Sequence, residues 1–212
     1  MLEIIPFILG PVETNSYLVA NTGTSQAVVI DPAWDGHQIA QEAQNRGWQI
    51  ESIWLTHAHF DHIGGSAGVI DNTNPPPTVS IHPADLPLWN LEGGAPLFGF
   101  HIDLGPKPSV ELANRMILHL GNSVFEVRHL PGHTPGHVIF ICHEEKITFV
   151  GDVIFQGSIG RTDLVGGDYN RLINGILSEV FSLPDDTVLY PGHGPVTTVG
   201  DEKRTNPFFK LG

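Results

Sequence analysis

The order of elements along the chain predicts an α/β fold, an αββα four-layer sandwich in which two mixed β-sheets pack face to face with helices on both outer sides. Three observations predict it. Short β-rich runs come in two successive groups, each group is accompanied by a helix with one apolar stripe, and the histidines and aspartates richest in chemistry stand just past the ends of apolar strands.

The runs "EIIPFIL", "NSYLVA" and "AVVID" are each bounded by Gly, Asn, Thr or Pro and read as consecutive antiparallel strands. "WDGHQIAQEAQNRG" reads as a helix, with Asp35 as its N-cap, Ile39, Ala40 and Ala43 on one face and Gly47 as its stop. The strand "ESIWLT" follows and runs into "THAHFDH". "IGGSAGVI" predicts a short helix and "TVSIH" a strand, after which "PADLPLWNLEGGAPLFGFHIDLGPKP" is Pro/Gly-rich and irregular. A segment of that length in a compact domain is functional or mobile, and its Trp89, Phe98 and Phe100 either line a pocket or pack the segment against the core. The second half repeats the pattern with "RMILHL", "SVFEVRHL", "HVIFICH" and "KITFVGD", the helix "DYNRLINGILSEVFSL" and a closing strand "TVLYPGHG". In that helix Leu172, Ile173, Ile176, Leu177, Val180 and Phe181 recur at helical spacing, a stripe that packs on a sheet. The prolines of "DNTNPPPT" mark a surface loop and not a hinge, so a single domain over residues 1–212 is expected.

Ten Lys and Arg against 23 Asp and Glu leave a net charge of −13, which repels phosphate backbones and anionic membranes. Neither nucleic acid nor a membrane is therefore an expected partner. Glu3 and Pro6 interrupt the apolar N-terminus, no cationic segment precedes it, and no run approaches a membrane-spanning length, so a cytoplasmic location is expected. The one cysteine, Cys142, forms no intramolecular disulfide and reads as a small buried residue.

The stretch "THAHFDH" sets three histidines and an aspartate in seven residues. His57 and His59, two apart on extended backbone, point to the same side and can hold one metal between them. Asp61 and His62 are adjacent in a turn and cannot easily reach the same ion, so two neighbouring metals are implied. Later loops supply matching donors: His133 in "LPGHTPGH", Asp152 in "TFVGD" and His193 in "LYPGHG", each just past an apolar strand. His137 lies close enough either to ligate or to support a ligand, and Asp31 at the end of "VVID" either holds a histidine tautomer or shapes its turn. His37, His82, His101, His119, His129 and His143 have no such setting.

These residues resemble the metallo-β-lactamase superfamily, whose H-x-H-x-D-H signature is matched by His57, His59, Asp61 and His62, with His133, Asp152 and His193 following in order. Within it, "GHTPGH", "GSIGRTDLVGGD", "LPDDTVLYPGHGPVTT" and "KRTNPFF" resemble glyoxalase II, the hydroxyacylglutathione hydrolases, in their short form. The resemblance implies one metal on His57, His59 and His133, a second on Asp61, His62 and His193, and Asp152 bridging both. It implies zinc, with iron or manganese as other occupants of such a donor set. It further implies a thioesterase cleaving S-D-lactoylglutathione or another S-acylglutathione by attack of a metal-bridging hydroxide that Asp61 orients. Two-domain members continue into basic helical residues that grip the glutathione carboxylates, whereas this chain stops at "FFKLG". Arg161 falls where those members place a lysine toward glutathione, and the competing role is an ion pair with Asp163. Two alternatives share the fold: a persulfide dioxygenase with one iron on His57, His133 and Asp152, and a hydrolase of lactones or other esters.

Overall fold

The computed structural model describes residues 1–209; the last three residues of "FFKLG" lie outside the described residues. Strand β1 (Leu2–Leu9) pairs antiparallel with β2 (Thr14–Asn21), and β2 with β3 (Gln26–Ile30). The chain crosses over through helix α1 (Gly36–Arg46) to β4 (Gln49–Trp54), which lies parallel to β3. Helices α2 (Phe60–Ile63) and α3 (Ser66–Asp71) lead to β5 (Thr78–Ile81), and the long segment after it carries α4 (Leu86–Trp89) before β6 (Val110–Glu111). These strands form a six-stranded sheet in sequence order.

A meander of β7 (Ile117–Leu120), β8 (Ser123–His129), β9 (Val138–Cys142) and β10 (Ile147–Gly151) begins the second half. After the small hairpin β11 (Ile154–Phe155) and β12 (Ser158–Ile159), helix α5 (Tyr169–Gly175) returns the chain to β13 (Val188–Pro191), which lies parallel to β10. β14 (Thr197–Thr198) and α6 (Val199–Thr205) follow. The second sheet runs β14-β13-β10-β9-β8-β7.

Period-two alternation assigns each strand's faces. On β2, Tyr17 and Val19 face the other sheet while Leu18 and Ala20 meet Ile39, Ala40 and Ala43 of α1. On β9, Val138 and Phe140 point inward, and Ile139 and Ile141 meet Leu172, Ile176 and Val180. The inner layer closes on Trp54, Phe125, Phe140 and Phe149, and burying each such side chain contributes about 1.5–3 kcal/mol. Cys142 lies in that layer, and burial raises its thiol. The result is four layers, helices outside two sheets. No helix among the described residues is long and apolar enough to cross a membrane.

The antiparallel order expected for β1 to β3 holds, and from β3 to β6 the strands are parallel, because helical crossovers carry the chain back over one face, which makes the sheet mixed. Two local expectations change. Asp35 is not a side-chain cap: its φ of 45° lies in the left-handed region, and only its carbonyl bonds the first turn, accepting from Gln38 N at 2.9 Å. Gly47 does end α1, at φ 70°. The helix after Asp168 loosens at Ile176–Val180 into a π-helical turn, which keeps Ile176 and Val180 inward but leaves Leu177 exposed.

Candidate metal centre

Both sheets end at the same edge, and the donors collect there. β4 leads into His57 and His59, and the short α2 immediately after it carries Asp61 and His62. From the second sheet come His133 between β8 and β9, Asp152 directly after β10, and His193 after β13. His193 arrives through Gly192, where a Cβ would stand 2.2 Å from Asp152 Oδ1; only glycine lets that backbone pass so close.

All seven predicted donors meet. His57, His59 and His133 form one group whose ligand atoms lie within 4.8 Å of one another, and Asp61, His62 and His193 form a second. His59 Nδ1 and His133 Nε2 are 2.8 Å apart, and His193 Nε2 is 3.3 Å from Asp61 Oδ2. Asp152 stands between the groups: its Oδ1 is 3.3 Å from His62 Nε2, and its Oδ2 is 3.5 Å from His133 Nε2 and 3.6 Å from His193 Nε2. A carboxylate so placed can reach an ion in either group.

The far side of each ring settles which nitrogen is free. His133 Nδ1 donates to the Arg161 carbonyl at 2.8 Å, and His62 Nδ1 donates to Asp31 Oδ2 at 3.0 Å. Thr56 Oγ1 gives its proton to Asp31 Oδ2 at 2.6 Å, so it accepts from His57 Nδ1 at 3.0 Å. All three rings therefore turn a bare Nε2 inward. His57 Nε2, His62 Nε2 and Asp152 Oδ1 are buried without a hydrogen-bond partner, which is costly unless a ligand satisfies them. Imidazoles and carboxylates without thiolate suit a divalent cation, so the residues present fit a pair of metal ions.

The ionisation states agree at His57 and His59, whereas the carboxylates facing His62 favour its imidazolium until a cation replaces the proton. Burial, reinforced by the surrounding imidazoles, holds His57 well below its ordinary range and brings His59 down to about 3, so both are neutral lone-pair donors near neutral pH. Burial alone would also lower His62, but Asp152 and Asp61 outweigh it and raise it. Asp61 falls to about 2 because His62 and His193 overcome its burial, and Asp152 is lowered for the same reason, with His133 adding to the effect.

Several supports carried no sequence signal of their own. Asp85, buried in the turn before α4, accepts from Ala58 N at 3.0 Å, Thr134 Oγ1 at 2.7 Å and Gly136 N at 2.6 Å, tying the loops of His57, His59 and His133 together. Asn15 Nδ2 donates to the Pro191 and Gly194 carbonyls at 3.0 and 2.8 Å and Tyr17 Oη to Pro191 at 2.6 Å, fastening the His193 loop to β2. Thr14 Oγ1 donates to Asp61 Oδ2 at 2.9 Å. Asp31 accepts from Thr56 N, Thr56 Oγ1 and His62 Nδ1, contacts suited to holding a tautomer, and with His57 and His62 it makes a third convergent donor group. His137 likewise supports: its Nε2 accepts from Asp152 N at 3.1 Å and its ring stacks on His57 at 4.7 Å.

Above the donors opens a cavity of about 230 Å³, walled on the apolar side by Phe60, Phe98, Phe100 and Leu164. Phe98 and Phe100 thus line a pocket, while Trp89 is buried in the core. Arg161 lies at the cavity and is paired with Asp163 through two 2.8 Å bonds.

The family model for the metallo-β-lactamase superfamily matches residues 9–193, a span that holds every donor. Hydroxyacylglutathione hydrolase GloC of Haemophilus influenzae is 37% identical over 213 residues, covering 98% of this chain and 97% of its own. Among solved structures, the BLEG-1 B3 metallo-β-lactamase superposes with a TM-score of 0.90 at 38% identity, covering 100% of both chains. TTHA1623 in a di-iron-bound form superposes with a TM-score of 0.86 at 41% identity, covering 96% of this chain and 99% of that one. End-to-end likeness of this kind, with the donor-bearing loops inside the matched span, means that the chain belongs to the metallo-β-lactamase superfamily.

Proposed function

We propose that the protein is a dinuclear metal-dependent hydrolase that cleaves a thioester, with S-D-lactoylglutathione or a related S-acylglutathione as its substrate. The observation that carries this is the pair of convergent donor groups with Asp152 between them, and the buried Nε2 atoms of His57 and His62 that have no hydrogen-bond partner. His57, His59 and His133 would hold one ion, Asp61, His62 and His193 the other, and Asp152 both. Zinc suits these ligands, and the di-iron form of TTHA1623 makes iron a second occupant to test. When bound, two such cations supply water with a pKa lowered toward ~7 and fixed positive charge where an oxyanion develops.

The chain's own residues do the rest. Thr14 pins Asp61, so the carboxylate that faces His193 keeps one orientation. Phe60, Phe98, Phe100 and Leu164 keep bulk water from the reacting carbonyl. A thiolate leaves without a strong acid, so no further proton donor is needed. The full-length likeness to GloC supports the thioester over other carbonyl substrates, and the net charge of −13 disfavours polyanions.

Metal quantification beside a thioester assay tests the proposal. Two ions per chain with chelator-sensitive turnover of S-D-lactoylglutathione is expected. One iron with oxygen uptake on a persulfide would replace the hydrolase with a dioxygenase, and faster turnover of a chromogenic cephalosporin than of any thioester would move the substrate class to lactams, as in BLEG-1. His193→Ala should leave one ion per chain and lower kcat/KM by about 10³-fold or more, since it removes a ligand made only to the second group. Arg161→Ala should raise KM for a carboxylate-bearing thioester by roughly three- to tenfold with kcat little changed, a modest effect because Asp163 already neutralises the guanidinium.

A further inference from the structure

Beside the metal cavity lies a second, larger one of about 410 Å³ whose lining carries no polar side chain at all. Its walls come from the two loops that also wall the metal cavity. Leu97 lines the groove and its neighbour Phe98 the metal cavity; Val165 lines the groove and its neighbour Leu164 the metal cavity. Pro135, two residues beyond the donor His133, forms part of the floor. The pairs Leu97–Phe98 and Leu164–Val165 thus form an apolar rim that the two spaces share.

Leu97, Val165 and Leu91 are 82%, 93% and 67% exposed, an apolar cost to a free surface that calls for an occupant. Pro87, Pro96 and Pro135 stiffen the walls, so the groove exists before anything enters it. Glutathione cannot be that occupant, because its charged ends would meet no partner there. The group on the other side of the scissile bond can.

We infer that this groove receives the hydrocarbon part of the acyl group, so that the thioesters served best carry alkyl or aryl acyl chains longer than lactoyl; the inference rests on the thioester reading above. The thiol carrier then lies toward Arg161, and the acyl tail crosses the Phe98–Leu164 rim into the groove.

The test uses the metal-loaded protein and a series of N-acetylcysteamine thioesters from acetyl to decanoyl. A groove open on one side retains about half the value of full methylene burial, so 1/KM should rise roughly twofold per methylene, or about 60-fold from acetyl to octanoyl. The double variant Leu97→Asp with Val165→Asp, at two surface positions outside the metal cavity, should lose that gain while acetyl turnover stays unchanged. Titration with decanoate and acetate, product acids sharing one headgroup, should show the same preference for the long chain in the parent and not in the variant. A flat chain-length profile overturns the inference, as does a gain that survives in the variant. It is equally overturned if sedimentation shows a dimer that the variant dissolves with the profile unaltered, since the groove would then be covered by a second copy. If no thioester is turned over, the functional proposal fails, and the decanoate–acetate comparison decides the groove by itself.

Discussion

Asp152→Asn is expected to lower kcat/KM by about 10⁴-fold and to leave the protein with at most one weakly held ion. The substitution keeps shape and removes charge. Its backbone amide still donates to His137, so the loop after β10 is unaffected. What goes is the one anion whose two oxygens face both donor groups, at 3.3 Å from His62 on one side and 3.5 Å from His133 on the other. An amide offers a single neutral acceptor to one group and an N–H to the other, which repels a cation. Loss of several kcal/mol of charge stabilisation at both ions accounts for the size of the effect. Plasma-emission metal analysis and steady-state kinetics on the same preparation check it; two tightly bound ions with turnover within tenfold of the parent would refute a bridging role.

The second large effect lies off the reacting groups. Asp85→Ala is expected to destabilise the fold by about 3–9 kcal/mol, because it leaves Ala58 N, Gly136 N and the Thr134 hydroxyl buried with no acceptor, each at a cost of roughly 1–3 kcal/mol. Against an ordinary stability of about 5–15 kcal/mol that is a large share. Asp85→Asn, which retains one acceptor, should cost about half as much and weaken metal affinity by about 10- to 100-fold, as expected when a support behind the ligands is lost. Urea melts of the two variants and competition with a chelating dye measure both. Full stability in Asp85→Ala would show that the three donors find other partners.

The contrast between Asp152 and Asp85 shows what a single chain can disclose before folding. Asp152 announces itself because it follows an apolar strand and joins a set of donors with ligand spacing. Asp85 sits in a Pro-rich stretch with nothing beside it to suggest a role, since its partners are two backbone amides and one hydroxyl, separated from it by 27, 51 and 49 residues. Backbone donors have no residue type, so no pattern records them. The Arg161 carbonyl that sets the His133 tautomer is hidden for the same reason, and Asn15 reaches Pro191 across 176 residues. The layer architecture was readable because it follows from alternation on strands such as β2 and β9, where Tyr17 and Val19, or Val138 and Phe140, face inward. The direction of β4 to β6 was not, since a strand's own residues look alike in parallel and antiparallel pairings. Leu177 was assigned to the buried stripe on a regular helical period that the π-helical turn interrupts.

Each donor group draws on both sheets: His57 and His59 with His133, and Asp61 and His62 with His193. Under the proposed ligation neither half of the chain can complete the ligand set of either ion by itself, and the last ligand arrives only when β13 has docked and Asn15 has gripped the turn behind it. Loading of both ions would therefore report completion of the fold.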